Sequence, residues 1–180
     1  MSEVRLHLSS ESYAGIWSHL LSGDGQDDED EQVVFGFART VCHRDRCSFH
    51  LTEWIAIGSG DFASQSSYYV ELTDETRARN IKRAHDLNAS LMEFHSHPFQ
   101  TRAEFSGSDV LGFEEFVPHV WWRLKGKPYL AIVVARVSFD GLAWVGEPHN
   151  PVPIREVIVG NNVLEPTGLT FKRRLSTNVR

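Results

Sequence analysis

Apolar and polar residues alternate with two different periods along this chain, and the switches between them mark out its elements. Val4, Leu6 and Leu8 alternate with Arg5 and His7, the period of a short half-buried strand. Ser9 or Ser10 can cap a following helix in which Tyr13, Ile16, Trp17, Leu20 and Leu21 recur at helical spacing, with Gly23 expected to end it. Val33 to Val41 and Ser48 to Ile57 read as strands of a hairpin around the polar turn His43-Arg44-Asp45-Arg46. A Gly/Ser-rich loop over 58–67 leads to a short strand, Tyr68 to Leu72. From Thr73 or Asp74 a helix runs to about Asn88, with Ala78, Ile81, Ala84 and Leu87 inward. Its outward residues Arg77, Arg79, Lys82 and Arg83 are most simply a solvated face.

The second half continues with an apolar strand from Ser90 to His95 and a helix from Gly107 expected to stop by Pro118, which cannot continue it cheaply. Of the adjacent indoles Trp121 and Trp122, one is expected to anchor the core. Tyr129 to Val137 is an apolar, β-branched run, hence a buried central strand. Asp140-Gly141 has good turn chemistry and is expected to lead into Leu142 to Val145. A last strand, Arg155 to Val159, follows Pro153. Helices interspersed with consecutive strands predict an α+β protein, a single mixed β-sheet flanked by helices. Residues 1–165 are expected to form one domain, and 166–180 a basic, frayed C-terminal tail containing Lys172, Arg173, Arg174 and Arg180.

Composition narrows the function classes. A length of 180 residues suffices for one real core, and 41% hydrophobic with 23% charged residues is ordinary for a globular protein. The formal charge of -6 argues against working by phosphate neutralisation, so no nucleic acid partner is expected. No apolar run approaches bilayer-spanning length and no signal peptide pattern opens the chain, so no membrane partner is expected either. Two cysteines, Cys42 and Cys47, are too few for a disulfide framework and suit a reducing cytosol, giving a cytoplasmic location. Cys42, His43, Cys47 and His50 could be drawn as a second metal site, but Cys-x4-Cys across a hairpin is a weak pattern. Two reduced cysteines facing each other across strands are the simpler expectation. The run 23–31 is acidic enough to read as a solvated linker, apart from Glu31, which abuts the next strand.

The candidate chemistry lies in Glu93-Phe94-His95-Ser96-His97-Pro98, followed by Ser106-Gly107-Ser108-Asp109. A His-x-His pair on a strand sends both imidazoles to one face, and an acidic residue on the first turn of the next helix can supply a third ligand. Two imidazoles and a carboxylate suit zinc with an open fourth position. Each half has a plain structural reading as well: surface or core histidines, and a capping box in which Ser106 accepts from the Asp109 amide.

Together these residues resemble the signature of the JAMM (MPN+) metalloprotease family, with Glu upstream of His-Ser-His-Pro and then Ser-x-x-Asp. One departure is that eight residues separate His97 from Ser106, one more than in the best-known members. The resemblance implies the JAB/MPN (cytidine deaminase-like) fold across the chain. It implies one catalytic Zn2+ held by His95, His97 and Asp109, with Ser106 steadying the developing oxyanion. Proton transfer would fall to Glu31, with Glu29 and Glu53 as rivals. It further implies a deubiquitinase-like isopeptidase or peptidase cleaving after the C-terminal tail of a ubiquitin-like protein, similar to compact bacterial JAB proteins, with E1/E2-like pathway proteins as further partners. The tail would lie extended along a sheet edge, in a channel lined by 58–67 and 99–105. Competing readings are a catalytically silent MPN scaffold, which would lack metal ligands, and a DNA-associated JAB protein of the RadC type, which the acidic balance disfavours. A zinc deaminase would need His-x-Glu and Pro-Cys-x-x-Cys, and the chain has neither.

Overall fold

The computed structural model describes residues 3–22 and 30–177. The expected helix end at Gly23, the rival base Glu29 and the terminal Arg180 lie outside the described residues. Strand β1 (Glu3–Leu8) buries alternate residues, as its period requires. Ser9 caps α1 (Ser10–Leu20), its side chain accepting from the Ser12 amide. Strands β2 (Val33–His43) and β3 (Arg46–Ala56) form the expected hairpin, with Arg44 taking the positive φ of 55° that a two-residue turn demands. Strands β4 (Phe62–Gln65) and β5 (Val70–Leu72) make a separate two-stranded sheet where a loop and one strand were expected. Thr73 caps α2 (Asp74–Asp86), which leads into β6 (Ser90–Ser96), α3 (Gly107–Arg123), β7 (Tyr129–Ala135) and β8 (Ser138–Trp144). The chain ends with β9 (Val152–Val159), β10 (Asn162–Leu164) and α4 (Leu169–Thr177).

The strands do not form a single sheet flanked by helices. Their order is β1-β3-β2-β6-β7-β8-β9, and β9 then pairs in parallel with β1, Leu6 opposite Val157 and Leu8 opposite Val159. Seven strands thus close into a mixed barrel, with β10 added at the side of β9. This overturns the expected α+β single sheet and with it the JAB/MPN fold assignment. The reason is physical: alternation along a strand tells which face is buried, but not whether the two outermost strands meet. Each outer strand would present a row of unpaired amides and carbonyls, and closure satisfies both rows at once.

Alternate residues of the barrel feed two cores. One gathers Val34, Met92, Phe94, Leu130, Ile132 and Ile154 with Ile16 and Leu20 of α1. The other gathers the opposite-facing Phe35, Phe37, Leu91, Tyr129, Ala131 and Val133 under α2 and α3. Strand β6 serves both, so it is buried along nearly its whole length.

Several local expectations change. Helix α3 runs through Pro118 to Arg123, because Val117 and Val120 on either side are fully buried and hold the helix where one main-chain bond is missing. Asp140-Gly141 lies inside β8, and the hairpin turn is at Arg136-Val137, between the paired Ala135 and Ser138. A Cβ on Gly141 would fall 2.6 Å from Ile154 Cδ1 and 2.8 Å from Ile132 Cδ1, so glycine serves close packing inside the barrel. The Asp140 carboxylate accepts from the amides of Gly141, Gly168 and Thr170 at 3.0, 3.1 and 2.9 Å. That fastens α4, in the stretch expected to fray, against β8. Trp121 packs on the core while Trp122 is exposed. Cys42 and Cys47, directly opposed in the β2–β3 register, are joined in a disulfide rather than reduced, which removes the second metal site and the premise for a reducing compartment. No helix among the described residues is long and apolar enough to cross a membrane.

Candidate metal centre

The site is assembled at one end of β6 by strand register and a helix cap. In the antiparallel β2–β6 pairing Val33 lies opposite His95, so two residues further back Glu31 comes level with His97. The Ser96 amide donates to the Gln32 carbonyl at 3.0 Å, and the Gln32 amide donates to Ser96 Oγ at 2.8 Å, fixing that register beyond the strand end. On the other side the His97 amide donates to the Val134 carbonyl at 2.8 Å. With both neighbours tied, the period-two pleat sends His95 and His97 to one face.

Asp109 reaches the same place from the first turn of α3. Its amide donates to Ser106 Oγ at 3.1 Å, and the Ser106 amide donates back to Asp109 Oδ2 at 2.6 Å, a complete capping box with Asp in the third position. The same Oδ2 lies 3.3 Å from His97 Nε2 and 3.6 Å from His95 Nε2. Within the longer spacing between His97 and Ser106, the loop path is pinned by β8 and by the start of α4. The Ala103 amide donates to Ser138 Oγ at 2.8 Å, the Phe105 amide donates to Thr170 Oγ1 at 2.9 Å, and Thr167 Oγ1 donates to the Ala103 carbonyl at 2.6 Å.

One ligand atom each from His95, His97 and Asp109 fit within 4.8 Å of one another. His95 is 2% exposed, His97 6% and Glu31 4%, and Glu31 Oε1 stands 3.5 Å from His97 Nε2. Buried imidazole nitrogens normally have hydrogen-bond partners, yet both nitrogens of His95 and Nδ1 of His97 have none. Two Nε2 atoms converging on one carboxylate oxygen, with His95 Nε2 unsatisfied, fit a metal ion better than a hydrogen-bonded polar cluster. The group could therefore hold a metal ion.

The electrostatics point the same way. Burial alone would push the His95 imidazole down, but the negative charge of the adjacent Asp109, and then of Glu93, pushes it up to about 10. Burial opposes ionisation of Asp109 too, yet His95 and His97 hold its carboxyl far below the usual range. A position that keeps a proton on imidazole to such a pH is a position of strong negative potential, suited to a cation. Burial pushes the Glu31 carboxyl above its ordinary value, against the pull of His95 and His97, with Asp109 adding to the rise.

Of the residues singled out from sequence, His95, His97, Asp109, Glu31 and Ser106 come together here. Glu53 does not: it is on β3, bound to the Arg83 guanidinium at 2.6 and 2.8 Å. Sequence reasoning gave no role to three residues here. Glu93 Oε1 lies 3.5 Å from His95 Nδ1, and Glu93 Oε2 accepts from the Tyr129 hydroxyl at 2.9 Å. The signal was available, since Glu93 is two residues before His95 on the same face of the strand. Tyr129 could not have been paired with it from sequence. Burial and the adjacent Glu93 carboxylate push the Tyr129 phenol well up, so it stays a donor. Ser108 was also passed over; its hydroxyl is 2.8 Å from Ser106 Oγ.

No protein-family model matches this chain, and no curated protein does. The resemblance to the JAMM signature therefore stands on the motif residues alone.

Proposed function

We propose that this chain is a zinc-dependent isopeptidase or peptidase that cleaves after the C-terminal tail of a ubiquitin-like protein, with membership of the JAMM family as the reading of its motif. The observation that carries the proposal is the buried Glu31 carboxylate, 3.5 Å from the Nε2 of a histidine whose ligand atom converges with those of His95 and Asp109. A structural metal site needs four closed protein ligands, whereas three ligands plus a buried, raised carboxyl suit hydrolysis.

His95, His97 and Asp109 would hold the zinc. A bound zinc ion lowers the pKa of water from 15.7 to about 7 and polarises a carbonyl oxygen. Glu31 would take a proton from the attacking water and pass it to the departing nitrogen, a role that its burial-raised pKa favours. Ser106 receives the Asp109 amide on its oxygen, so its hydroxyl proton can be given to the oxyanion, worth on the order of 3 kcal/mol. Glu93 would hold His95 through Nδ1, leaving Nε2 for the ion.

The test is to determine bound zinc and activity together, on a ubiquitin-like protein extended past its C-terminal glycine. The expected pattern is one zinc and cleavage in the wild type, zinc without cleavage in Glu31→Ala, and neither in Asp109→Ala. Wild-type protein prepared without chelator and free of zinc would refute the proposal. So would cleavage that survives in Glu31→Ala.

A further inference from the structure

We propose that the cavity beside the metal centre is a subsite for a carboxylate on the substrate, an Asp or Glu side chain about three residues from the scissile bond, and that Arg77 receives it. The inference rests on the hydrolase reading above and adds to it the charge of the substrate segment. Its starting point is a contrast among the four cations of α2 that sequence alone assigns to a solvated face. Arg79 is paired with Asp61 at 2.6 Å, Lys82 with Asp86, and Arg83 with Glu53. Arg77 is half-buried and has no carboxylate partner among the described residues. Its guanidinium lies over the Phe116 ring, 5.6 Å from the centroid, in contact with aromatic surface that removes part of its water.

Arg77 and Phe116 line one part of a cavity of about 140 Å³ whose lining also includes His95, Ser108 and Asp109. Two carboxylates line it as well, and both are committed. Asp109 Oδ2 takes the Ser106 amide and faces both imidazoles, while Glu93 is held between His95 and Tyr129. With His95 engaged by the metal, the side-chain cation that the cavity offers to an incoming group is Arg77. A partly desolvated guanidinium that lies over a ring and lines a cleft favours a planar carboxylate over a neutral or cationic side chain.

The geometry sets the distance from the chemistry. Asp109 and Phe116 are seven residues apart on α3, so the cavity runs about 10 Å along that helix. An extended peptide rises about 3.3 Å per residue, which places the carboxylate about three residues from the bond held at the metal end. Gly112, between them, leaves the path open, since a Cβ there would meet nothing within 4 Å.

The test uses internally quenched peptides with a central Gly-Gly bond and serine elsewhere, in which single positions two to four residues to either side carry Asp, Asn or Lys. The zinc-loaded wild type is expected to prefer Asp over Asn at least tenfold in kcat/KM at one such position, and Lys least. Arg77→Gln should lose the preference while keeping its zinc, and Arg77→Glu should reverse it in favour of Lys, a gain that misfolding cannot produce. Equal cleavage of all three peptides, or an Asp preference that survives in Arg77→Glu, would overturn the proposal while leaving the hydrolase reading intact. If no peptide is cut, fluorescence anisotropy of the same peptides decides. An Arg77-dependent preference for Asp in binding upholds the subsite and counts against the hydrolase, and its absence overturns the subsite.

Discussion

Metal binding to this site should release a proton, and the structure says how strongly that proton competes. In the metal-free protein His95 is charged up to about 10, because Asp109 and Glu93 outweigh its burial. A metal ligand must be neutral imidazole, so the ion displaces the proton. Asp109 adds no proton of its own, being ionised far below the usual carboxylate range. Near pH 7.5 the gap to a pKa of about 10 is roughly 2.5 units, which costs about 3 kcal/mol, or about 300-fold in apparent affinity. The sign follows from which state binds the proton: the free protein does and the loaded one does not, so affinity rises with pH. Between about pH 7.5 and 9 the logarithm of the apparent zinc association constant, after correction for hydroxide and buffer, should climb by nearly two per pH unit, one for the His95 proton and most of another for the zinc-bound water. Chelator competition measures that slope. Calorimetry in buffers of different ionisation enthalpy should independently give nearly two protons released per zinc, one of them from His95. A slope of one or less, with no more than the water's proton released, would refute the reasoning and place the ion somewhere other than on His95.

Two further outcomes follow from the packing around the site and inside the barrel. Glu93→Gln should lower zinc affinity by about 10- to 100-fold by loosening the hold on His95 Nδ1. Because the same change lowers the His95 pKa and relieves proton competition, the loss should be smaller near pH 6.5 than near pH 9; an unchanged affinity at both would show that Glu93 does not orient the ligand. Gly141→Ala should destabilise the protein by about 1–3 kcal/mol, read from urea midpoints, because the added methyl meets Ile132 and Ile154 inside the closed barrel. Unchanged stability would mean that these two side chains do not converge there.

What could be read from the sequence was whatever a few neighbouring residues decide. The caps at Ser9 and Thr73, the β2–β3 hairpin and the Ser106–Asp109 box are all short-range hydrogen-bond arrangements; the pattern placed the hairpin and the box, and each of the two caps to within one residue. Asp140-Gly141 shows the limit of such reasoning. The dipeptide carries strong turn chemistry, but its carboxylate is taken by amides at the start of α4, almost thirty residues on, and its glycine by two isoleucines of other strands. Pro118 likewise reads as a helix end until the burial of Val117 and Val120 is known. Barrel closure is the extreme case, joining β1 at one end of the chain to β9 near the other, with no local signature at all.

That closure was missed and the grouping of His95, His97, Asp109 and Glu31 was not, and the two facts have one cause. Glu31 stands level with His97 because of the register between two adjacent strands, and Asp109 reaches them because of a helix cap four residues long. The pairing of β1 with β9 lies elsewhere in the ring, separated from β6 by β3 and β2 on one side and by β7 and β8 on the other. An error about how the ring ends therefore leaves the relation of His95, His97, Asp109 and Glu31 untouched. The parts of the site that did escape notice, Tyr129 behind Glu93 and Arg77 over Phe116, are those in which one element meets another that the chain reaches only later. Both bear on what surrounds the ligands: one on how firmly His95 is aimed, the other on what the neighbouring cavity can accept. Substitutions at those two positions should accordingly change affinity and selectivity, while the arrangement of the three ligands, set by local register and capping, persists.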